Sequence, residues 1–270
     1  MKKNRSPLLA TAGLMLFAAT VAHSQVSLIV PFNDGDLSNF RNETPANWSI
    51  VSGSGALTAA SDGDIDSING TYLNQSFSLP ANGFSLTLEA TYLWHGRNIR
   101  ASNVDALRIG LTTSSTGDAL PEYSGVLRPT ASGNRNHRVG NYSGTNLVQS
   151  GSNTNITNSA VPLILETVFT RVSPTEMTMA TTLWNDGKLT TQIPTVTRSI
   201  TVAEGYFDNP FFAGLFINGD ASREDLTTWT SEIRIDNFTV TAIPEPRVYA
   251  ALFGLFALGF VIWRRRRLTR

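Results

Sequence analysis

The sequence predicts an all-β protein, built as a two-sheet antiparallel sandwich or jelly roll between Gln25 and Ile243. No long segment between these residues carries the 3.6-residue period of an amphipathic helix. Short runs of alternating apolar and polar residues recur instead, and clusters of turn-forming residues separate them. About a dozen such runs with hairpin-like spacing favour antiparallel strands.

The clearest predicted strand runs from Phe84 to Trp94. Its even-numbered positions are apolar and alternate with Ser85, Thr87, Glu89 and Thr91, so one face is buried and the other is solvated. Leu107 to Leu111 repeats the pattern over a shorter length. Phe211 to Ile217 is apolar on both parities, which predicts a central strand.

Residues 112–160 are rich in Gly, Ser, Asn and Thr. A structureless loop of this length is rare inside a compact domain. Short strands are therefore predicted within it at Tyr123–Leu127, His137–Tyr142 and Asn146–Gln149.

Two segments, Leu163 to Val172 and Met177 to Trp184, form a predicted hairpin across Ser173–Glu176. Trp184 falls on the outward parity of the second strand, and Asn185-Asp186-Gly187 then predicts a tight turn. The inward parity of that strand carries Met177, Met179 and Leu183.

The last predicted strand, Ser231 to Thr241, contains a change of parity. Ile235 and Phe238 can both be buried only if the alternation shifts by one residue between them. A β-bulge near Asp236-Asn237 would supply that shift.

Two stretches of the body resemble a known fold family. Pro162 through Gly187 resembles the strand-turn-strand-Asp-Gly core of concanavalin A-like, laminin-G-type domains. Arg234 to Val240 resembles the last strand of such jelly rolls and of carbohydrate-binding modules. The resemblance spans about 80 residues and implies a fold, because function lies in sites grafted onto a fold.

The first residues have the layout of a secretory signal peptide over residues 1–24. A basic start is followed by the apolar run Leu8 to Val21, and Ala22 and Ser24 place small residues before the predicted cut. The Sec export machinery is then a partner. A retained N-terminal anchor is the alternative.

The C-terminal end predicts a membrane helix over Val248–Trp263, sixteen residues without a charge. At about 1.5 Å per residue it reaches roughly 24 Å, short of a bilayer core of about 30 Å, and long terminal side chains can close the gap. By the positive-inside rule, the cytoplasmic end is fixed by Arg264, Arg265, Arg266 and Arg267. A buried core helix is the alternative, but it has no use for four consecutive arginines.

Pro244 and Pro246 prevent a helix from continuing through this point and hold Glu245 in an extended hinge. Pro-Glu-Pro, a short apolar helix and a terminal arginine cluster together resemble the PEP-CTERM sorting signal of Gram-negative bacteria. The resemblance covers residues 244–270. It implies that an exosortase, a membrane cysteine protease, recognises Pro244, Glu245 and Pro246, and that the protein resides in the envelope or exopolysaccharide matrix.

The near-zero formal charge hides an acidic body between two basic ends. Residues 25–243 hold 12 Lys plus Arg against 20 Asp plus Glu, a net charge near −8. An acidic body argues against nucleic acid as a partner. The chain has no cysteine, which excludes disulfides and thiol chemistry.

A structural calcium ion is the cofactor hypothesis. Asp34 and Asp36 follow the first predicted strand and can meet Asp236 of the last, since first and last strands are often neighbours in jelly rolls. Calcium takes several such oxygen ligands. The alternative is a hairpin turn with a strand-end aspartate that caps backbone amides. Asp62 to Asp66 lacks the glycine and glutamate of an EF-hand loop and is interpreted as an acidic turn.

No catalytic residues are predicted. His95 and His137 have no metal-ligand spacing. Glu232-Ile-Arg-Ile-Asp236 is the nearest match to the Glu-x-Asp-x-x-Glu strand of concanavalin A-like glycosidases, and it lacks both the spacing and the third carboxylate. A non-catalytic role is favoured, and a carbohydrate-active hydrolase is the alternative.

Tryptophans are the candidate ligand contacts. Most tryptophans are core residues, and Trp94 fits the buried parity of its strand. Trp184 and Trp229 are the candidates for stacking on sugar rings. The sequence thus favours an exported sandwich that binds or spaces polysaccharide, with a ligand-free structural surface protein as a further alternative.

Overall fold

The computed structural model describes most of the body and short parts of the C-terminal end. The described residues are 26–31, 38–42, 48–50, 57–59, 68–94, 107–114, 121–129, 136–149, 154–155, 162–218, 233–243, 254–256, 258–260 and 262–264. The chain divides into two compact units. One spans Ser27–Ala242, and the other comprises Met1–Val26 together with Ile243–Arg270.

The body is all-β, as predicted. Its described strands are β1 Val26–Pro31, β2 Phe40–Asn42, β3 Trp48–Ile50, β4 Leu57–Ala59, β5 Ile68–Phe77, β6 Ser85–Trp94, β7 Leu107–Thr112, β8 Tyr123–Pro129, β9 Asn136–Ser143, β10 Asn146–Gln149, β11 Thr154–Asn155, β12 Leu163–Ser173, β13 Glu176–Trp184, β14 Thr191–Thr201, β15 Phe211–Asn218 and β16 Ile233–Ile243.

These strands form two sheets of eight. Sheet 1 has the order β14-β13-β12-β6-β16-β4-β3, and β1 also pairs with β16. Sheet 2 has the order β10-β9-β8-β7-β15-β5-β2, and β11 also pairs with β9. The first and last strands are therefore neighbours, as predicted, and Ser27 Oγ lies 3.3 Å from Thr241 Oγ1.

The core lies between the two sheets, and strict alternation builds it. The inward positions of β6 are fully buried, as are those of β13. Each strand buries one parity because successive side chains point to opposite faces. The inward residues of these two strands are Leu86, Leu88, Ala90, Tyr92, Met177, Met179, Thr181 and Leu183.

The predicted hairpin of β12 and β13 is present, with its turn at Pro174-Thr175. After β13 the chain makes a 3₁₀ turn at Asp186–Lys188, where the tight turn was predicted. Gly187 and Lys188 there have φ values of 67° and 57°. Lys188 thus occupies the left-handed region, which a non-glycine residue enters at a cost.

The three strands predicted within residues 112–160 are confirmed as β8, β9 and β10. The predicted central strand is β15, which pairs with β5 on one side and β7 on the other. Strand β14 was not predicted. Four of its eleven residues are threonine, and it contains Pro194, a residue that argues against a strand except at a sheet edge or bulge. Strand β14 lies at an edge of sheet 1.

Strand β16 shows the predicted change of parity. Ile235, Phe238 and Val240 are all fully buried. Ile235 is at an odd-numbered position, whereas Phe238 and Val240 are at even-numbered positions. Asp236 and Asn237 lie between them and are half-buried. The inward positions thus shift by one residue at the point where the sequence predicts a bulge.

A buried amide connects the two sheets. Asn141 of β9, in sheet 2, donates from Nδ2 to the carbonyl oxygens of Met179 at 3.2 Å and Val196 at 2.7 Å, both in sheet 1. Thr181 Oγ1 donates to Asn141 Oδ1, and Thr167 Oγ1 lies 3.1 Å from Thr181 Oγ1. Every polar atom of the Asn141 side chain is therefore engaged, as a buried polar group requires.

Gly125 of β8 makes this contact possible. A Cβ atom at this position would overlap the Thr167 side chain and lie 2.5 Å from Thr181 Oγ1. The two sheets approach closely here because residue 125 has no side chain.

In the unit that contains Ile243–Arg270, residues 254–256, 258–260 and 262–264 are helical. Their large apolar side chains are about half exposed or more: Leu255, Phe256, Leu258, Phe260, Ile262 and Trp263. Among the described residues, no helix is both long enough and apolar enough to cross a membrane.

Asn141→Ala is expected to lower the free energy of unfolding by about 2–4 kcal/mol, because it strands a buried threonine hydroxyl and two carbonyl groups. Urea denaturation measures the change. Asn146→Ala, in the exposed neighbouring strand, is the matched control and should cost less than about 0.5 kcal/mol. Equal effects of the two substitutions would contradict the inter-sheet role of Asn141.

Candidate functional site

The outer side of sheet 1 carries the most complete array of polar side chains in the described body. We call it the hydroxyl face and define it by four outward positions on each of four adjacent strands. They are Ser85, Thr87, Glu89 and Thr91 of β6, Ile164, Glu166, Val168 and Thr170 of β12, Thr178, Ala180, Thr182 and Trp184 of β13, and Thr191, Thr195, Thr197 and Ser199 of β14.

Antiparallel register aligns these side chains in rows across the strands. Glu166 stands opposite Glu89 on one side and Thr182 on the other. Thr182 Oγ1 lies 2.7 Å from Thr195 Oγ1 of β14. The next row runs from Thr91 through Ile164 to Trp184 and Thr191.

Lys188 reaches this face from the turn that follows β13. Its Nζ contacts Glu89 Oε1 and Glu166 Oε2 as an ion pair with each. The side chains are 32% exposed for Lys188, 25% for Glu89 and 14% for Glu166. One ammonium group therefore neutralises one of two partly buried carboxylates and leaves the cluster negative.

Trp184 completes the cluster. Its indole Nε1 donates to Glu166 Oε1 at 3.0 Å, so both carboxylate oxygens of Glu166 are engaged. Trp184 is half-buried and lies on the outer side of the sheet, as its parity predicts. The hydrogen bond fixes the indole and leaves part of its ring surface toward solvent.

The charge on Lys188 is stabilised by its partners. Burial alone would lower its pKa, but hydrogen bonds and charge interactions with Glu166 and Glu89 outweigh burial and raise the pKa of Lys188. The ammonium form therefore persists throughout the neutral range.

The Glu89–Glu166 pair has the separation of a catalytic pair but not its chemistry. Residues directly opposite in an antiparallel ladder have Cβ atoms about 5 Å apart, and retaining glycosidases place two carboxyl groups at a similar distance. One of the two must hold a proton as the general acid. Lys188 Nζ contacts one oxygen of each carboxylate, and Trp184 Nε1 donates to the other oxygen of Glu166. Both oxygens of Glu166 therefore already have partners within the protein.

A second carboxylate cluster is structural. Glu122 Oε1 accepts from Thr113 Oγ1 at 2.5 Å and the Thr113 amide at 3.0 Å, and Glu122 Oε2 accepts from Tyr206 O–H at 2.7 Å. Burial, together with the hydrogen bond and charge of Glu122, raises the pKa of Tyr206. The cluster holds the segment before β15 against the start of β8.

The outer side of sheet 2 carries aromatic and arginine side chains. Arg41 stacks 4.3 Å from the ring centre of Phe212 and 5.6 Å from that of Tyr72. Arg108 lies 4.1 Å from the ring centre of Tyr142. Tyr72 and Phe212 are more than nine-tenths buried, so their rings are not available for stacking on a ligand.

The structure describes only some of the predicted site residues. Trp184 lies where predicted, Asp236 is half-buried on β16, and Arg264 is exposed in a helical segment. Within the described part of the chain, no three His, Asp or Glu side chains are grouped in a way that could hold a metal ion. Other predicted residues lie outside the described residues: Ala22, Ser24, Asp34, Asp36, Trp229, Pro244, Glu245, Pro246, Arg265, Arg266 and Arg267.

Sequence reasoning missed Glu89, Glu166 and Lys188 as a group. Two signals were present. Both glutamates occupy outward positions of predicted strands, and Lys188 is the one lysine between the two ends of the chain. Lys188 is 99 residues from Glu89 and 22 from Glu166 in the sequence. Strand pairing brings the three residues together, and the sequence pattern does not show that pairing.

The body is similar in structure to plant lectins. Peanut lectin with a nine-residue peptide matches at a TM-score of 0.51 and 11% identity, over 82% of this chain and 98% of the lectin. Arcelin-5, a lectin-like defence protein from Phaseolus vulgaris, matches at 0.51 and 15%, over 82% and 99%. An endo-1,3-beta-glucanase from Streptomyces sioyaensis matches at 0.48 and 13%, over 82% and 96%.

At these identities the similarity to the two lectins shows the fold alone. The two-sheet antiparallel sandwich predicted for the body is thereby confirmed, and it has the same fold as these two solved structures. No protein-family model matches the chain, and no curated protein matches it.

Lys188→Ala is expected to lower the free energy of unfolding by about 1–2 kcal/mol at pH 7, because it leaves two carboxylates side by side without their cation. The folded-state pKa of Lys188 is raised, so its stabilisation is full below about pH 10 and is lost as pH rises through the folded-state pKa.

Urea titrations of both proteins at neutral and at alkaline pH measure this difference. Lys188→Arg is the control and should retain most of the stability, since arginine remains charged and can contact both carboxylates. A difference that stays constant from pH 7 to above pH 11 would show that Lys188 acts through packing and not through charge.

Proposed function

We propose that this chain is an exported envelope protein whose sandwich binds polysaccharide without cleaving it. The fold is shared with lectins, but a fold by itself does not carry a function. The observation that carries the proposal is Trp184, an aromatic side chain fixed on an outward sheet face beside a dense set of hydroxyl groups.

Aromatic rings and hydroxyl groups are complementary to sugars. The apolar face of a sugar ring packs on an indole, and its hydroxyl groups exchange hydrogen bonds with polar side chains. Glu166 holds Trp184 in position from below, so little side-chain freedom is lost when a ligand binds. A preorganised platform of this kind supports recognition of a glycan surface.

A carbohydrate-active hydrolase is the second candidate, and the opposed pair Glu89 and Glu166 favours it. The contacts of Glu166 argue against it, because Lys188 and Trp184 engage both of its oxygens and leave none facing a substrate as the acid that hydrolysis needs. Release of reducing sugar from a polysaccharide by the purified protein, lost in Glu166→Gln, would establish hydrolysis.

Export and anchoring are part of the proposal. Residues 1–24 have the layout of a signal peptide, and Pro244-Glu245-Pro246 begins a tail that resembles the PEP-CTERM signal. Exposed apolar side chains in the helical segments of residues 254–264 support a membrane environment for the unprocessed tail. We infer that an exosortase-type protease and the Sec machinery are partners, and that the mature protein lies at the cell surface or in the exopolysaccharide matrix.

A structural calcium ion near the paired first and last strands is the remaining part of the proposal. Asp34, Asp36 and Asp236 would provide its ligands. The pairing of β1 with β16 supports it, because Asp34 and Asp36 follow β1 in the sequence and Asp236 belongs to β16. Such an ion would stabilise loops beside the sheet and would not take part in a reaction.

Trp184→Ala is expected to weaken binding of the full-length protein to a soluble polysaccharide about tenfold or more, because an aromatic anchor is lost. Affinity electrophoresis in a mild detergent measures the change, and a parallel run with EDTA tests dependence on calcium. Val172→Ala, an exposed position elsewhere on β12, is the control and should bind like the parent protein.

Equal binding by Trp184→Ala and the parent would exclude Trp184 as the platform. Absence of binding by the parent to every polymer tested would favour a ligand-free structural protein.

Glu245→Ala is expected to leave the C-terminal tail uncut in a Gram-negative host that has an exosortase, while the parent loses residues beyond the Pro-Glu-Pro motif. Mass spectrometry of the mature C-terminus measures this. Glu204→Ala, an exposed glutamate in the body, should be processed normally. Normal processing of Glu245→Ala would refute recognition of the motif.

A further inference from the structure

The hydroxyl face has an unusual composition for an outward sheet surface. Ten of its sixteen positions are serine or threonine, two are glutamate and none is lysine or arginine. The cation that reaches it, Lys188, is already paired with both glutamates. Thr87, Thr182 and Ile164 are buried, and the other thirteen positions are half-buried or exposed. The face therefore presents eight neutral hydroxyl groups and a net negative charge.

Its strands β6, β12 and β13 pair in continuous register over the face, and the pairing of β13 with β14 shifts between Thr181 and Trp184. Neighbouring strands lie about 4.8 Å apart and successive outward residues on one strand about 6.8 Å apart. Pairs of hydroxyl groups are locked together across strands, as Ser85 Oγ and Thr170 Oγ1 are at 2.8 Å. The complement of such a surface is a flat, stiff polymer that carries hydroxyl groups on every unit.

A peptide does not fit this surface. Strands β6, β12 and β13 are paired on both edges, so strand addition could occur only at the edge strand β14. Pro194 interrupts that edge, because proline has no backbone N–H to donate. A helix docks in an apolar groove, and this face has only scattered apolar side chains. The composition favours a polysaccharide over a protein ligand.

Charge then selects among polysaccharides. A polymer of uronic acids or sulfated sugars would bring carboxylate or sulfate groups onto Glu89 and Glu166, and like charges at short range cost several kcal/mol. Lys188 carries one positive charge and is already paired with Glu89 and Glu166, so it cannot offset the negative charges of both glutamates. The acidic body, with 12 Lys plus Arg against 20 Asp plus Glu in residues 25–243, adds long-range repulsion.

We propose that the hydroxyl face binds an extended, uncharged polysaccharide chain, and that Glu89 and Glu166 exclude polyanionic chains. This inference rests on the proposed carbohydrate-binding function and names the class of polymer that the same site takes. Trp184 stacks on one ring of the chain, and the rows of hydroxyl groups contact the units that follow.

The test of charge uses the full-length protein in detergent, with two neutral polymers, a soluble β-glucan and a galactomannan, and one polyanion, alginate. The parent should bind at least one neutral polymer, with an affinity that does not depend on salt, and should bind alginate at least about tenfold more weakly. The ratio of neutral-polymer affinity to alginate affinity is measured in the same way for Glu89→Gln combined with Glu166→Gln, and it should fall about tenfold or more below the ratio of the parent.

The same double variant exposes Lys188 as an unpaired cation and should gain alginate binding at about 0.02 M salt that disappears at about 0.5 M salt. Alginate binding by the parent as tight as neutral-polymer binding would overturn the proposal. So would a double variant that gains no affinity for alginate.

The test of the surface removes hydroxyl groups without changing shape. Thr182→Val combined with Thr195→Val deletes both members of a hydrogen-bonded pair, which leaves no unpaired partner and keeps the fold. Binding to the neutral polymer should fall about fivefold or more. Thr175→Val, an exposed turn residue off the face, is the control, and melting temperatures verify folding of all variants.

The outcomes separate this inference from the function on which it rests. If the parent binds a neutral polymer through Trp184 but the valine pair has no effect, carbohydrate binding stands and the hydroxyl face is not the surface. If the parent binds none of the three polymers, both the function and the inference fail.

Discussion

The buried amide of Asn141 is the contact on which the rest of the structure depends. It ties β9 of sheet 2 to the backbone of β13 and β14 in sheet 1, and those strands supply half of the hydroxyl face. Burial of one strand face disfavours a shift of the strand register by one residue. Apolar side chains alone allow several packing arrangements between the sheets. A fully satisfied polar contact between the sheets specifies one register.

The register of strand pairing brings the charged residues of the candidate site together. Glu89 and Glu166 are distant in sequence and become neighbours because β6 and β12 pair residue by residue. Lys188 reaches both because the turn after β13 holds it in a left-handed conformation. The ion pairs offset the backbone strain at Lys188, so the same contacts fix the turn and neutralise part of the charge beneath a ligand.

The sequence predicted the fold well where one side of a strand is buried. Alternation from Phe84 to Trp94 and around Met177 defined β6 and β13, and the parity change at Asp236-Asn237 was visible because both flanking apolar residues must be buried. It missed β14, whose outward threonines and Pro194 give no hydrophobic signal. Of the candidate site it predicted the outward position of Trp184 alone. The charged cluster depends on strand pairing, which periodicity does not contain.

The most direct test of the central claim, that a glycan lies on the sheet face at Trp184, is the response of the five tryptophan indole N–H signals to a neutral oligosaccharide in a solution NMR titration of the full-length protein. Trp184→Phe assigns its signal. The account predicts a saturable shift of the Trp184 signal while the other four stay in place. A saturable shift at a different tryptophan, with the Trp184 signal unmoved, would contradict it.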